Sequence, residues 1–480
     1  MHPANGEEAN SESHSLEGAR LVDTPSVPTP ALRPTPELPW AETPMRALVG
    51  QSWPIVVSML SYSTMTLADT FFVAGEGASA LAGVGLGGTA AFVIFGFSFG
   101  LLRAVKILGA QARGAGAFDR ERAALSAGIL TSLVVGVVSI VLGGIAAFAM
   151  PLVAGSVEAG GHARDYLLIR ALSSPVVLLY VALREARYGR GDSQSPMVAG
   201  VIANALNIVL DAVFVWGFDA GVRGVAWATF IASTAQAFLL LWTTWRSERR
   251  FVRPAWSDVR ALFTVGAPTG VQFLLEIGSF SLLTILLARM PELELAAHQI
   301  AIQVIHFTFL PAIGVSETVS ALVGQAIGAR RLRLVGVVTN GGFAIVIAYA
   351  IFCSVMLLAF GHLVARGFTD DGALIARSAE LLLIASLFQI ADAAGVILRG
   401  TLRGAGDVKM PALIGIVCAW SLTPPLTWLI GIELGHGAVG GWLGLTAEIF
   451  VATAILGARY GRGQWLVEAR RTRRLAQAVA

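Results

Sequence analysis

"RALVGQSWP", residues 46–54, returns as "RALFTVGAP", residues 260–268, and the offset of 214 positions decides how the rest of the chain is read. The register holds elsewhere. "LAGVGLG" from Leu81 matches "LAAHQIA" from Leu295, and "GAQARGA" around Gln111 matches "VGQAIGA" around Gln325, both at 214. "REARYGRGDSQSP" from Arg184 matches "RGTLRGAGDVKMP" from Arg399 at 215. Chance similarity does not keep one register over so long a stretch, so the chain is read as an internal duplication.

What is duplicated follows from composition. Of 480 residues, 55% are hydrophobic and 14% charged, and the mean hydropathy is +0.71; this is a membrane composition, not a soluble one. Apolar runs of about 20 residues, enough to cross a ~30 Å hydrocarbon core, begin near Ala47, Leu81, Ala123, Asp165, Met197 and Val225. Six more begin near Ala261, Leu295, Val335, Arg377, Met410 and Ala438. With six spans per repeat, both halves start on the same side, and the repeats are parallel. Parallel repeats are related by an axis along the membrane normal, and their substrate site lies between them. The expected fold is an all-α polytopic membrane protein of twelve transmembrane helices in two parallel six-helix repeats.

Cations set the orientation, because Lys and Arg are retained on the cytoplasmic side. Alternate connections are read as carrying them: Arg103, Lys106, Arg113, Arg120 and Arg122 in one, Arg246, Arg249, Arg250, Arg253 and Arg260 in another. Opposite connections such as "GEGAS" and "GIELGHGA" hold none. Both termini are therefore expected in the cytoplasm, in a multi-pass protein of the cell membrane. Residues 1–43, acidic and Pro-rich, read as a disordered cytoplasmic tail. Residues 44–248 form the first lobe, 249–459 the second, and 460–480 a basic cytoplasmic tail that fits beside anionic lipid. The net charge of +3 belongs to these basic connections, so no nucleic-acid partner is expected. Cys353 and Cys418 lie in apolar runs and read as small hydrophobes.

Against this background the carboxylates in spans stand out. Asp69 lies in "SYSTMTLADTFFVAG", residues 61–75, where an ionised Asp costs about 3 kcal/mol at mid-membrane and calls for a partner or an aqueous cavity. Its repeat mate is Leu283, so the fold itself does not require an acid there. Asn207 and Asp211, four apart in "NALNIVLD", share one helix face. An amide oxygen and a carboxylate on one face can ligate a hard cation or hold a proton. Glu276 in "LLEIGSF" and Asp392 are the acids of the second half, with Gln272 one turn before Glu276. Arg103 in "FGLLRAVK" and Glu317 in "IGVSETVS" are repeat mates of opposite charge, a candidate gate across the cleft near the cytoplasmic ends. Asp192 and Asp407, in the two Gly-rich turns, read as caps of the helices that follow. Pro54 and Pro268 lie inside spans, and His298 and His306 read as packing residues. Glu448 has no evident partner. "GVGLGG" at residues 83–88 reads as a helix-packing surface, since a dinucleotide site would need a strand before it.

With "LADTFFVAG", "NALNIVLD", "LLEIGSF", "AAHQIA", "GRGDSQSP" and "GAGD" in this order, the chain resembles the multidrug and toxic compound extrusion (MATE) family over roughly residues 45–460. The resemblance implies two six-helix lobes forming a V-shaped cleft, and alternating access driven by inward H⁺ or Na⁺. It implies that Asp69 is the first-span acid and that Asn207 and Asp211 complete a DinF-like cation or proton site. Glu276 and Asp392 match the acids of NorM-like members, a substrate or second cation site. The chain carries both sets, and the DinF-like pair points toward H⁺. The expected activity is antiport of amphipathic, often cationic organic compounds, the alternative being a flippase of lipid-linked precursors. Small organic substrates and the bilayer are the expected partners. A monomer is expected, with no catalytic residues, no cofactor and no resident metal.

Overall fold

The computed structural model describes residues 37–248 and 251–477. Arg249 and Arg250, most of the tail expected over 1–43, and residues 478–480 of the tail expected over 460–480 lie outside the described residues. The described chain is built of helices. The first repeat comprises α1 (Pro44–Ala74), α2 (Ala78–Gly114), α3 (Phe118–Val153), α4 (Val157–Leu172), α5 (Ser174–Arg190), α6 (Gln194–Ala212) and α7 (Gly221–Glu248). The second comprises α8 (Trp256–Leu287), α9 (Glu292–Gly328), α10 (Leu332–Arg366), α11 (Gly372–Gly404), α12 (Lys409–Leu426) and α13 (Ala438–Gly461), and α14 (Trp465–Gln477) follows. Among the described residues, eleven helices are long and apolar enough to cross a membrane, and α4 with α5, bent by 50° at their junction, makes a twelfth when the pair is counted as one span.

Several spans exceed the membrane. α2 and α9 have 37 residues each, about 55 Å of helix against a hydrocarbon core of ~30 Å. Cations assigned by sequence to connections therefore lie on helices: Arg103 and Lys106 in α2, with Arg184, Arg187 and Arg190 in α5 and Arg399 and Arg403 in α11 showing the same extension. An apolar run marks the lipid-facing length of a helix, not its end.

The repeats depart from each other at one place. Pro175 stands in the first turn of α5, where it supplies no N–H to continue α4 and so separates the two segments. The equivalent position in the second repeat is Ile390, and α11 runs unbroken through it. Gly136 of α3 makes room for the break, since a Cβ there would stand 2.5 Å from Pro175 Cα. Elsewhere the correspondence is close. α6 and α12 both finish in wide π turns, Val213–Gly217 and Thr427–Glu433, whose starts are 214 positions apart.

The repeats meet along a seam made from α1 and α2 on one side and α8 and α9 on the other. Small residues bring the backbones together, as in membrane helix packing generally. A Cβ on Gly100 would stand 2.5 Å from Gly270 Cα; the equivalent Gly314 faces Val56, with a Cβ 2.6 Å from its side chain. At the basic end the contacts become reciprocal. A Cβ on Gly114 would lie 2.0 Å from the Gln325 carbonyl, and one on Gly328 2.1 Å from the Gln111 carbonyl. Gln111 Nε2 donates to the Gly404 carbonyl at 3.0 Å, and Gln325 Nε2 donates to the Gly189 carbonyl at 2.8 Å. These named contacts run along the inner part of the seam to its basic end, from which the lobes form the V-shaped cleft.

Gly114→Ala and Gly328→Ala are each expected to lower the melting temperature of the purified protein, since overpacking a close contact costs typically ~1–3 kcal/mol. Gly144→Ala, with nothing within 4 Å of its Cβ, should raise it slightly. Differential scanning fluorimetry in detergent compares the three; equal effects would remove the seam from the explanation.

Candidate functional site

The acids of the first repeat gather where α1, α6 and α7 pack. Asp69 and Asp211 are buried, 7% and 0% exposed, and Asn207 is fully buried. One turn of α6 separates Asn207 from Asp211 and lets Asn207 Nδ2 donate to Asp211 Oδ2 at 3.0 Å. Asp69 stands beside both of them and beside Thr229 of α7. Arg170 of α4 brings a guanidinium to the cluster, with its Nη1 buried and without an acceptor. Three oxygens remain buried with no donor: Oδ1 of Asp69, Oδ1 of Asn207 and Oδ1 of Asp211. Each ionised carboxylate removed from water costs several kcal/mol, a cost that a bound proton or cation offsets. Two carboxylates and an amide oxygen are hard donors of the kind that hold H⁺ or Na⁺.

The acids of the second repeat have partners within the protein. Gln272 Nε2 donates to Glu276 Oε1 at 2.8 Å, and Arg403 Nη2 donates to Gln272 Oε1 at 3.4 Å. Arg399 Nη2 lies 3.4 Å from Asp392 Oδ1. Glu448, unaccounted for by sequence, accepts a hydrogen bond from Thr423 and shares the electrostatic surroundings of Glu276, Asp392 and Arg399. Gly415 leaves room for this group, because a Cβ would stand 2.7 Å from Glu276 Oε1. His298 Nδ1 accepts from Trp442 Nε1 at 3.2 Å, a packing contact.

A third cluster ties the repeats together. Arg103 Nη2 lies 3.2 Å from Glu317 Oε1. Lys106, only 2% exposed, pairs directly with Glu317 and lies 3.4 Å from Glu185 Oε2 of α5. Arg184 closes the group on Glu185 at 2.9 Å. Sequence reasoning brought Arg103 to Glu317 but missed Lys106 and Glu185. Lys106 reads in sequence as one more cation of a basic connection, and the repeat mates of Lys106 and Glu185 are Ser320 and Gly400, which signal nothing.

The two turn aspartates differ. Asp192 Oδ1 accepts from the Ser195 N–H at 3.0 Å, the expected capping bond, and its Oδ2 pairs with Arg187 at 2.9 Å. Asp407 caps nothing: Arg459 of α13 holds both its oxygens, at 2.6 and 3.1 Å. Burial keeps the Asp407 carboxyl above its ordinary range even with Arg459 pulling it down. Among the described residues, no three His, Cys, Asp or Glu side chains converge to hold a metal ion.

The family model described as MatE matches twice, over residues 54–213 and 268–429, starting 214 positions apart as the repeats do. The probable multidrug resistance protein NorM of Deinococcus radiodurans is 30% identical over 452 residues, 91% of this chain and 97% of the relative. That of Pseudomonas putida is 29% identical over 433 residues, 86% and 93% of the two chains. A solved structure described as the outward-facing conformation of a multidrug resistance MATE family transporter superposes with a TM-score of 0.81 at 20% identity, covering 91% of this chain and 97% of that one. A MOP superfamily transporter from Pyrococcus furiosus superposes with a TM-score of 0.80 at 19% identity, covering 91% and 97%.

Proposed function

Because the chain belongs to the MatE family, a family of membrane transporters rather than enzymes, we propose that it exports amphipathic, often cationic organic compounds in exchange for an inward cation. The observation that carries this reading is the trio of donorless oxygens on Asp69, Asn207 and Asp211. An antiporter needs a group whose charge changes as the coupling ion enters and leaves, and a ligand drives a conformational change only by binding one state better than the other. The N-lobe cluster meets the first need, so the coupling ion, H⁺ in preference to Na⁺, is assigned to it. The C-lobe acids, each already held by Arg399, Gln272 or Thr423, are assigned to the organic cation. The basic end is taken as cytoplasmic in the cell membrane. The Arg103, Lys106, Glu185 and Glu317 group is the gate that closes the cleft on that side while it is open to the other, and the protein acts as a monomer.

Uptake of a fluorescent cationic dye from the medium into everted membrane vesicles tests this, with a pH gradient or a Na⁺ gradient, the coupling cation higher in the lumen, imposed separately. One of the two gradients should drive transport; if neither does, the antiport reading fails. In the same assay Asp392→Asn should keep gradient dependence and raise KM for the dye by about tenfold. Loss of gradient dependence in that variant would move coupling to the second lobe.

A further inference from the structure

The segment ahead of α1 adjoins the first repeat in sequence, yet its side chains lie in the second. Leu38 and Trp40, 7% and 9% exposed, join the apolar cluster that includes Val319, Val323 and Trp465. Trp40 Nε1 donates to Gln325 Oε1 at 2.6 Å. Because Gln325 Nε2 is itself bonded to the Gly189 carbonyl of α5, the arm and the first repeat together grip this one amide of the second repeat at both ends. The equivalent amide is held at one end only. Gln111 Nε2 reaches the Gly404 carbonyl, while Gln111 Oε1, in a residue that is 0% exposed, has no donor. The duplication made two such positions, and only one received an arm.

We propose that residues 38–41 form a bolt on the cytoplasmic side of the seam. Trp40 seats on Gln325 while the repeats are closed at this end and is drawn off it when they part, so the arm sets the balance between the two access states. The inference rests on the alternating-access reading and on the basic end being cytoplasmic. The mechanics follow from the contacts. α1 packs against α6 of its own repeat as well as against α9, so parting the seam pulls the root of the arm away from Gln325. An indole that must leave an apolar cluster and give up a buried hydrogen bond weights the equilibrium toward closure.

The test uses the full-length protein with Cys353 and Cys418 replaced by Ser. One reporter cysteine is placed at Ala110, which is buried and faces Gly324 across the seam; another, in a separate variant, is placed at Tyr62, 58% exposed on α1. Each is labelled with a membrane-impermeant maleimide, in inside-out vesicles for position 110 and right-side-out vesicles for position 62. Trp40→Ala should raise labelling at 110 about tenfold and lower it at 62. Trp40→Phe, which keeps a ring and loses the N–H, should fall between. Unchanged labelling at 110 overturns the bolt, and so does a rise at both positions, which is loosened packing rather than a shifted balance. If neither gradient drives dye transport while the labelling shifts reciprocally, the antiport reading fails and the bolt stands.

Discussion

Asp69→Asn is expected to abolish gradient-driven transport, reducing it by about a hundredfold or more, and to leave the protein folded and inserted. The amide keeps the size and most of the hydrogen bonding of the carboxyl and removes its charge, so the variant separates coupling from packing. Leu283 occupies the equivalent place in α8 and is itself fully buried, which shows that the helix forms without an acid. Asp211→Asn should behave alike, and the double variant should be little worse than either single one, because all three remove the same proposed ion site. Melting temperature supplies a second readout with the opposite sign: replacing a desolvated carboxylate by a neutral group of the same shape should leave stability equal or higher. Vesicle transport and scanning fluorimetry on the same preparations check both. Full transport by Asp69→Asn would end the assignment of this cluster to coupling.

Glu317→Gln is expected to carry the largest cost in stability. Glu317 neutralises Lys106 and Arg103 at the seam, and removing one member of a buried ion pair costs ~3–5 kcal/mol because its partners are left uncompensated. The closed basic end of the seam should lose most of that, so the melting temperature falls and the Ala110 position becomes accessible from that side. Reversing either Arg103 or Glu317 alone should do the same. The exchanged pair, Arg103→Glu with Glu317→Arg, should recover only part of the loss, because Lys106 then faces an arginine and keeps only Glu185 from its original partners. Full recovery would mean that Lys106 contributes little; no recovery would mean that Arg103 and Glu317 do not act on each other.

Much of this arrangement can be read in the chain before folding. The offset of 214 aligns Gln111 with Gln325 and Gly114 with Gly328, and those residues make the reciprocal contacts at the seam. Asp69, Asn207 and Asp211 stand out because charge in an apolar run is costly wherever it lies. Symmetry misleads where the halves have diverged. Asp192 and Asp407 are equivalent in sequence, yet Arg459 of α13 captures Asp407, whereas Asp192 pairs with Arg187, which also donates to Thr244 of α7. Trp40 precedes the repeated part altogether, so no comparison of halves could reveal it, and the bend at Pro175 depends on the packing of α3 against it.

The reciprocal bonds at the seam have a further meaning. Gln111 to Gly404 and Gln325 to Gly189 are the two halves of an isologous interface, in which each side presents the same patch to the other. The seam therefore has the form of the contact in a two-fold dimer of a six-helix chain, now carried by one polypeptide. In such a dimer every substitution strikes both sides at once, so an arm like Trp40 or a break like that at Pro175 would appear twice. Fusion lifts that restriction, leaving the two halves free to diverge across a joint that both inherited, as the division of ion and cargo proposed above requires.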